Sequence, residues 1–522
     1  MQLASNQFTV EERDDVRKIA QNLQVSWKKS TNLSRRTFTI GVSIIGGNDI
    51  IGINPGAVGS PGIYEYFDES DYILSLAWER ELSMPYGGLV KAMGEAVLEN
   101  TSGRFTPRFM GGNSELFTAQ LPRRPVKLST GFVLNGTDEV IPQFSGITTK
   151  TPQIDVRNEK VTLEFADYVD FFQGRYLDQT IMFTGQRTDQ VMQTLFSQLG
   201  MTTAQYDLDY GINIIPFGIF EKDSQFSKVF HDLARSENGH LYQDETGVFK
   251  FENRQHWDSA PYNSVRYILP TAQVIEQDNP TDDHIINVVE ISSTLRQKNP
   301  TETIFNLPAD AYLFVKAGSS IDRFLEFNDP ILEVIHPSSS GTNSVFIANS
   351  LADGTGTDLS GSVDLKVLGT FAKTVKYRFT NTGTVDLYIN QLVIAGRPAK
   401  DIGTLYYRDR ISSSVTAYEE RVLKIENPYI QDESWAKSLA SMILSDFSRP
   451  ENVQTLTIRA LPRLQFGDLI SWQGRYWRVF GIKNRIEAGI GYVQDITILQ
   501  RTITTYFRIG ISTIGGSDMI AP

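Results

Sequence analysis

Apolar residues in this chain recur mainly at every second position. Short runs at Phe38 to Ile45, Tyr72 to Trp78, Leu89 to Leu98 and Val161 to Phe165 alternate in this way, with turns rich in Gly and Pro between them. That period sends successive side chains to opposite faces, so each run predicts a strand with one buried side. Thirty Phe, 21 Tyr and 40 Gly favour strands and turns over helices. A length of 522 residues predicts roughly three to five domains at about 100–200 residues each.

Helical spacing is confined to a few segments. Thr9 to Leu23 predicts an amphipathic helix with Thr9 as cap, Glu11 and Glu12 in the first turn, and Val16, Ile19, Ala20 and Leu23 on one face. It belongs to an N-terminal helical arm, residues 1–36, ahead of a first β-barrel at 37–180. Residues 181–260 predict a small α/β domain. Thr188 caps a helix with the stripe Val191, Met192, Leu195, Phe196 and Leu199, and Gly200 stops it. Ser224 caps a second, with Phe226, Val229, Phe230, Leu233 and Ala234 as stripe and Gly239 as stop; Leu241 to Glu252 then predicts a hairpin. A second barrel takes residues 261–299 together with 401–505, including a helix from Asp432 to Phe447. Between its halves, residues 300–400 are rich in Ser, Gly, Thr and Asn and predict an inserted β-sandwich, in which Thr374 to Ala395 forms a hairpin about Asn381 to Thr384. The fold class is therefore mainly β and multidomain: two β-barrels, a small α/β domain and an inserted sandwich.

One internal repeat stands out. Phe38 to Ile51 aligns without gaps to Phe507 to Ile520, with 9 of 14 positions identical. Each copy is an alternating strand, a Gly-Gly-Asn/Ser-Asp turn and a short apolar return. Gly46, Gly47, Gly515 and Gly516 are expected to supply positive φ, and Asp49 and Asp518 to hydrogen-bond the turn. Phe38 and Ile40, like Phe507 and Ile509, keep an apolar face that needs burial. These ten residues are the candidate subunit-joining strands, adding to exposed sheet edges, with 506–522 as a C-terminal strand–turn tail. The alternative is duplication, both copies being strands of the chain's own barrels.

Signatures of chemistry are absent. The charge sum is 49 − 61 = −12, and Lys and Arg are scattered, so no cationic face for nucleic acid is predicted. With no cysteine, thiol nucleophiles, thiolate metal sites and disulfides are excluded. The five histidines, His231, His240, His256, His284 and His336, are dispersed and read as structural; no metal site follows. No G-x-S-x-G, H-E-x-x-H or phosphate-binding glycine motif occurs, so neither a catalytic set nor a cofactor is expected. Glu79 with Glu81, Glu95 with Glu99, and Asp207 with Asp209 read as solvated faces, and Trp78, Trp257, Trp435, Trp472 and Trp477 as core. No window reaches the ~18 apolar residues of a membrane span, and no export signal is read at the N-terminus.

Trp78-Glu-Arg-Glu-Leu-Ser-Met-Pro-Tyr-Gly-Gly88, followed by Glu95-Ala-Val-Leu-Glu-Asn100-Thr-Ser-Gly-Arg104-Phe-Thr-Pro107, resembles the first-domain signature of tail hub proteins of long-tailed bacteriophages, also called tail-associated, minor tail or baseplate hub proteins. Further matches follow in order at Phe144 to Gly146, Val161 to Asp167, Val229 to Arg254, Asn427 to Ile430, Pro462 to Ile470 and Tyr476 to Val479. The resemblance implies that both barrels are tail-tube-like and that three subunits form a ring. Such a homotrimer presents six barrels to the hexameric tail tube, joins it to the central tip and gates DNA passage. Implied partners are the tail tube or distal tail protein, the tape measure protein and other tail-tip or fibre proteins, in the virion's tail tip after synthesis in the host cytoplasm. DNA passes through the lumen without specific binding, in keeping with 3 × (−12) = −36 charges. The insertion departs from the family pattern and carries the alternative: an adhesin holding host surface glycan through 300–400. No aromatic platform is evident around its 381–384 turn, so a spacer role is the plainer expectation. A polysaccharide-cleaving enzyme using Glu95 or Asp207 ranks third.

Overall fold

The computed structural model describes residues 1–14, 17–29, 64–82, 87–106, 116, 122–259, 261–278, 283–487 and 491–501. Helix α1 (Asn6–Glu11) is short, and Ser5 caps it by accepting the Phe8 N–H. The chain then enters strand β1 (Ile19–Lys29), so the predicted helix from Thr9 to Leu23 is corrected. Leu23, Val25 and Trp27 are all fully buried, which is the strand period, and Ile19 to Val25 pair residue by residue with Phe132 to Val126. Tertiary pairing outweighs the i, i+4 spacing that Ile19 and Leu23 also satisfy.

Seven more strands follow: β2 (Tyr64–Asp68), β3 (Ile73–Glu81), β4 (Gly88–Leu89), β5 (Met93–Glu99), β6 (Pro125–Leu134), β7 (Thr137–Thr148) and β8 (Lys160–Ala166). The α/β segment matches expectation in its elements: α2 (Thr188–Gln198), α3 (Phe226–Ser236) and the hairpin β9 (His240–Gln243) to β10 (Phe249–Glu252). Its caps differ, since Arg187 and Gln225 occupy the N-cap positions in place of Thr188 and Ser224. Gln190 Oε1 accepts the Arg187 N–H at 3.1 Å, which satisfies that helix end from within. Phe172, Phe196, Phe230 and Phe249 pack ring against ring at its centre.

Strands β11 (Val274–Gln277) and β12 (Val288–Lys298) lead into the inserted sandwich. It contains β13 (Leu313–Val315), β14 (Ser320–Glu326), β15 (Val345–Asn349), β16 (Val363–Thr370), β17 (Thr374–Asn381) and the first half of β18 (Leu387–Arg410). The expected hairpin about Asn381 to Thr384 is corrected: β17 pairs with β14 and β16, whereas β18 pairs with β13 and β15 in the other sheet. Val375, Tyr377 and Phe379 on β17 face Leu387, Ile389 and Leu392 on β18 across one core, which an arch between sheets permits and a hairpin does not. Asn381, 1% exposed, fixes the arch by donating to Val315 O and Val385 O while its carbonyl accepts from Gly383 N.

The distal half of β18 returns along β12, pairing Val288 with Arg410 and Lys298 with Ala399, so a two-stranded ribbon carries the sandwich. Strand β19 (Val422–Glu426), helix α4 (Glu433–Phe447, capped by Asp432) and strands β20 (Val453–Arg459), β21 (Arg475–Glu487) and β22 (Gly491–Arg501) complete the described chain.

The main sheet has fourteen described strands, eleven of them along the path β11-β20-β22-β21-β3-β5-β8-β7-β6-β1-β2 and three, Gln153–Asp155, Val265–Ile268 and Leu469–Trp472, branching from it. Two closed barrels are therefore not what the described strands form. Instead Ser75–Glu81 of β3 bonds in register to Gly481–Glu487 of β21, so each half gives its edge to the other rather than closing on itself. The N-terminal segment reinforces this union. Arg463 donates twice to Glu12, which is fully buried, and the Met1 ammonium lies 2.5 Å from Asp468. Among the described residues no helix is long and apolar enough to cross a membrane.

Candidate functional site

The signature residues prove to be positioning residues, the glycines for a separate four-stranded sheet and the Asn100–Phe105 stretch for one end of the main sheet. Gly87 and Gly88 lay β4 beside β9: Gly88 N donates to Gly239 O, Val90 N to Leu241 O, and Gly87 N to the Asn238 side chain. A Cβ on Gly87 would stand 2.1 Å from Gly239 O, and one on Gly88, whose φ is +138°, 2.6 Å from the His231 ring. Arg80, from the same stretch, ion-pairs with Glu245 at 2.7 Å. Asn100 closes the second signature: its amide donates to Thr106 Oγ1 and its carbonyl accepts from Phe105 N. Arg104 then reaches the fully buried Glu69 through Nε and Nη2, both at 2.9 Å, and Phe105 enters the core beside Trp27.

Candidate catalytic carboxylates are not brought together. Glu79 and Glu81 share Lys483 at 3.7 and 3.5 Å, Asp207 pairs with Lys250 at 2.7 Å, and Glu95 and Glu99 are exposed. Asp209 instead holds His256 Nδ1 at 2.7 Å, with Glu252 3.3 Å from Nε2. Burial lowers the His256 pKa, and the Asp209 hydrogen bond with the Glu252 charge overcomes this and raises it. His231 accepts from Leu89 N and is pushed down to about 4 by burial and Arg235. His240 stacks on Trp257 and is pushed down to about 3 by burial, Arg254 and Arg501. His336 meets the Tyr377 hydroxyl at 2.8 Å, and burial lowers its pKa. Burial lifts two carboxyls against their hydrogen bonds: Asp167, which accepts from Ala92 N and Val169 N, to about 7, and Glu237, which accepts from Asn213 N and also feels the Asp189 charge, to about 7. Both are buried. No group of three His, Asp or Glu among the described residues is placed to hold a metal.

Phe38, Ile40, Gly46, Gly47 and Asp49, and Phe507, Ile509, Gly515, Gly516 and Asp518, lie outside the described residues. Their flanks are defined: Lys29 pairs with Tyr64, and Arg501 lies opposite Tyr476. Among the described strands, β2 bonds only to β1 and β11 only to β20, so the main path of the sheet ends in two unlike strands, with Val265–Ile268 and Gln153–Asp155 as the tips of side branches. Ile268 and Ile275 are 73% and 56% exposed near the β11 edge. A cleft of about 450 Å³ opens between α3, Phe217–Ser224 and Pro428–Gln431, and Gln431 caps the strand edge there by bonding both backbone groups of Phe217.

Sequence reasoning missed one cluster. Tyr312, Phe314 and Tyr388 meet on the outside of the inserted sandwich, with both ring pairs at 5.2 Å. Phe314 and Tyr388 are direct cross-strand partners, a pairing that no local pattern announces.

No protein-family model matches the chain, and no curated protein matches it. Solved structures similar to it include proteins named as tail proteins, a type VI secretion system component from E. coli and Francisella PdpA-VgrG complexes. They include the 43 kDa tail protein of prophage MuSo2 from Shewanella oneidensis (11% identity, TM-score 0.43, covering 83% of this chain and 95% of that one). A tail protein from Neisseria meningitidis MC58 aligns at 8% identity and TM-score 0.45, over 93% and 98% of the two chains. Prophage tail protein gp18 from Listeria monocytogenes EGD-e aligns at 9% identity and TM-score 0.39, over 84% and 93%.

Proposed function

We propose that the chain is a structural hub subunit of a bacteriophage tail tip, acting by assembly and not by catalysis. Three copies close a ring in which each offers two tube-like strand units, residues 37–180 and 261–299 with 401–505, to a six-fold tail tube. DNA crosses the lumen, and the ring meets the tube or distal tail protein on one side and the tape measure and tip or fibre proteins around it. The observation that carries this reading is the β3–β21 seam. It makes two strand sets one sheet whose main path ends in unlike strands, and unlike edges that meet head to tail generate a ring when the rotation closes. The signature stretch Asn100 to Phe105 supports it, because it braces the β1–β2 end of that sheet.

The chain has no cysteine, so introduced thiols report on the edges directly. A variant carrying Tyr66→Cys on β2 and Ile275→Cys on β11 is expected to oxidise to a covalent trimer, since strands added edge to edge bring Cα atoms within about 7 Å. Either single variant is expected to stay one chain on a denaturing gel. No product, or a ladder running past three chains, rejects the ring.

Residues 506–522 serve as the joining clip in this reading, with 38–51 as the second joining strand. Deleting 506–522 is expected to leave the melting of the isolated subunit unchanged and to abolish its incorporation into tails. A deletion that lowers the melting temperature favours the duplication alternative, in which the repeat is a strand of the subunit's own sheet. A second reading, an adhesin that holds host glycan through residues 300–400, is favoured by one feature, the exposed aromatic cluster of Tyr312, Phe314 and Tyr388 in rows without charge.

A further inference from the structure

The two outer sides of the inserted sandwich are chemically unlike. On the sheet of β14, β16 and β17, cross-strand partners Asp322, Arg378 and Lys366 form one outward row and Phe324, Lys376 and Gly369 another. The Asp322 carboxylate is held by Arg378 Nε at 2.7 Å and Nη2 at 3.0 Å, with Lys376 at 3.4 Å, so this side is an ordinary solvated, self-paired surface.

On the other sheet, Tyr388 lies between the buried Leu387 and Ile389, and Val393 between the buried Leu392 and Ile394, so both point outward. Partners across the sheet share that side. Around the rings the outward rows read Phe314–Tyr388–Asn349, then Gln391–Ile347, then Asn306–Val393–Val345, without a charged residue; further along β18 Arg397 faces its cross-strand partner Glu333 at 3.4 Å. Tyr312 stands edge-on to Tyr388 at 81°, and Tyr312 and Phe314 are 48% and 42% exposed. The Ser350–Thr357 loop borders the rings. Asn390 holds it by donating to Ala352 O at 2.6 Å, while Asn390 Oδ1 has no partner. The one carboxylate in the loop, Asp353, is occupied by Thr355 N and Oγ1.

We infer that this face is a binding site for a neutral saccharide, whose C–H faces lie on Tyr388, Phe314 and Tyr312 and whose hydroxyls meet Gln391, Asn390 and the 350–357 loop. The assignment rests on reading residues 300–400 as a glycan-binding module and is independent of the ring. Three features commit it to this ligand. Half-exposed aromatic rings offer large contact area with little ordering cost, as a sugar's apolar face requires. Amides and hydroxyls pair with sugar hydroxyls without desolvating a charge. The absence of any cation in these rows leaves nothing to hold an anionic polymer.

The test is titration of the full chain with a panel of cello-, malto- and chito-oligosaccharides and with polygalacturonate as an anionic control, by calorimetry and saturation-transfer NMR. At least one neutral oligosaccharide is expected to bind, with saturation transferred from aromatic protons, and polygalacturonate is not. Tyr388→Ala and Phe314→Ala are each expected to weaken binding about tenfold or more, a change of ~1.4 kcal/mol, whereas Phe324→Ala on the opposite side leaves it unchanged. Loss of binding on Phe324→Ala with Tyr388→Ala silent overturns the site while keeping the module. Binding of none of the neutral oligosaccharides overturns both. A fall in oligomer mass on Tyr388→Ala, read by light scattering, makes the face a contact between chains and overturns the saccharide assignment. Unchanged circular dichroism and melting in each variant exclude unfolding as the cause.

Discussion

Arg104→Ala is expected to destabilise the main sheet by about 3–5 kcal/mol, the range for removing one partner of a buried ion pair. Glu69 is fully buried and accepts from Arg104 Nε and Nη2 at 2.9 Å and from Trp27 Nε1 at 2.8 Å. Without the guanidinium, the carboxylate keeps only the indole and carries an uncompensated charge. Three elements converge on it: β1 through Trp27, the segment after β2 through Glu69, and the Asn100–Thr106 turn through Arg104. The loss should therefore spread along the β1–β2 end of the sheet and not remain local. The measurement is thermal unfolding followed by near-ultraviolet circular dichroism. A fall on the order of 5–10 °C in the main transition is expected, given ΔΔG of this size in a large domain. Adding Glu69→Gln to Arg104→Ala removes the stranded charge and should recover part of the loss. If the double variant is no better than the single one, burial of charge is not the cause.

The strands legible in the sequence are those whose alternation has one reading. Leu76, Trp78, Ala96, Leu98, Val161, Leu163 and Phe165 are all buried at period two, and their strands lie where the pattern puts them. Leu23 has two readings. It closes a helical stripe with Ile19 and Ala20 and also begins the strand triplet Leu23, Val25 and Trp27, and only the partner strand Pro125–Leu134, a hundred residues on, decides between them. The turn at Asn381–Thr384 is ambiguous for a related reason. Asn and Gly serve a hairpin and an arch equally well, and the choice rests on which core Val375, Tyr377 and Phe379 must face.

Function was legible as a motif before it was legible as geometry. The Gly87–Gly88 pair carried the family resemblance, but its reason lies in Gly239 O and the His231 ring, which sequence spacing places out of sight. Expecting structural histidines was consistent with dispersal along the chain, and the structure supplies the partners: Leu89 N for His231, Trp257 for His240, Asp209 for His256. The aromatic face of the insert lay hidden because Tyr312 and Phe314 meet Tyr388 only through cross-strand pairing, and a search near the 381–384 turn examines one strand of that pair.

The pH response of the folded chain offers the second large effect. His240 titrates ordinarily near 6.5 and is held down to about 3 in the fold, by burial first and then by Arg254 and Arg501. Between these values the unfolded chain takes a proton that the folded chain refuses, so its contribution is complete above pH 6.5 and is lost as pH falls toward 3. His231, held to about 4, acts in the same direction. Asp167 and Glu237, lifted to about 7 by burial, act in the opposite one: from pH 7 down to about 4 the folded chain keeps protons that the unfolded chain has released, so acidification stabilises. These opposed shifts leave the wild-type chain with a shallow profile over this range. His240→Gln keeps a flat polar side chain beside Trp257 and removes the titration. At 1.36 kcal/mol per pH unit below 6.5, the stability of the variant relative to wild type should improve by about 2 kcal/mol between pH 7 and pH 5. Denaturant midpoints of the two proteins at both pH values give this as a difference of differences, in which every other titrating group, including His256, cancels. Parallel profiles would mean that His240 accepts its proton in the fold as readily as out of it, and that Arg254 and Arg501 do not oppose it.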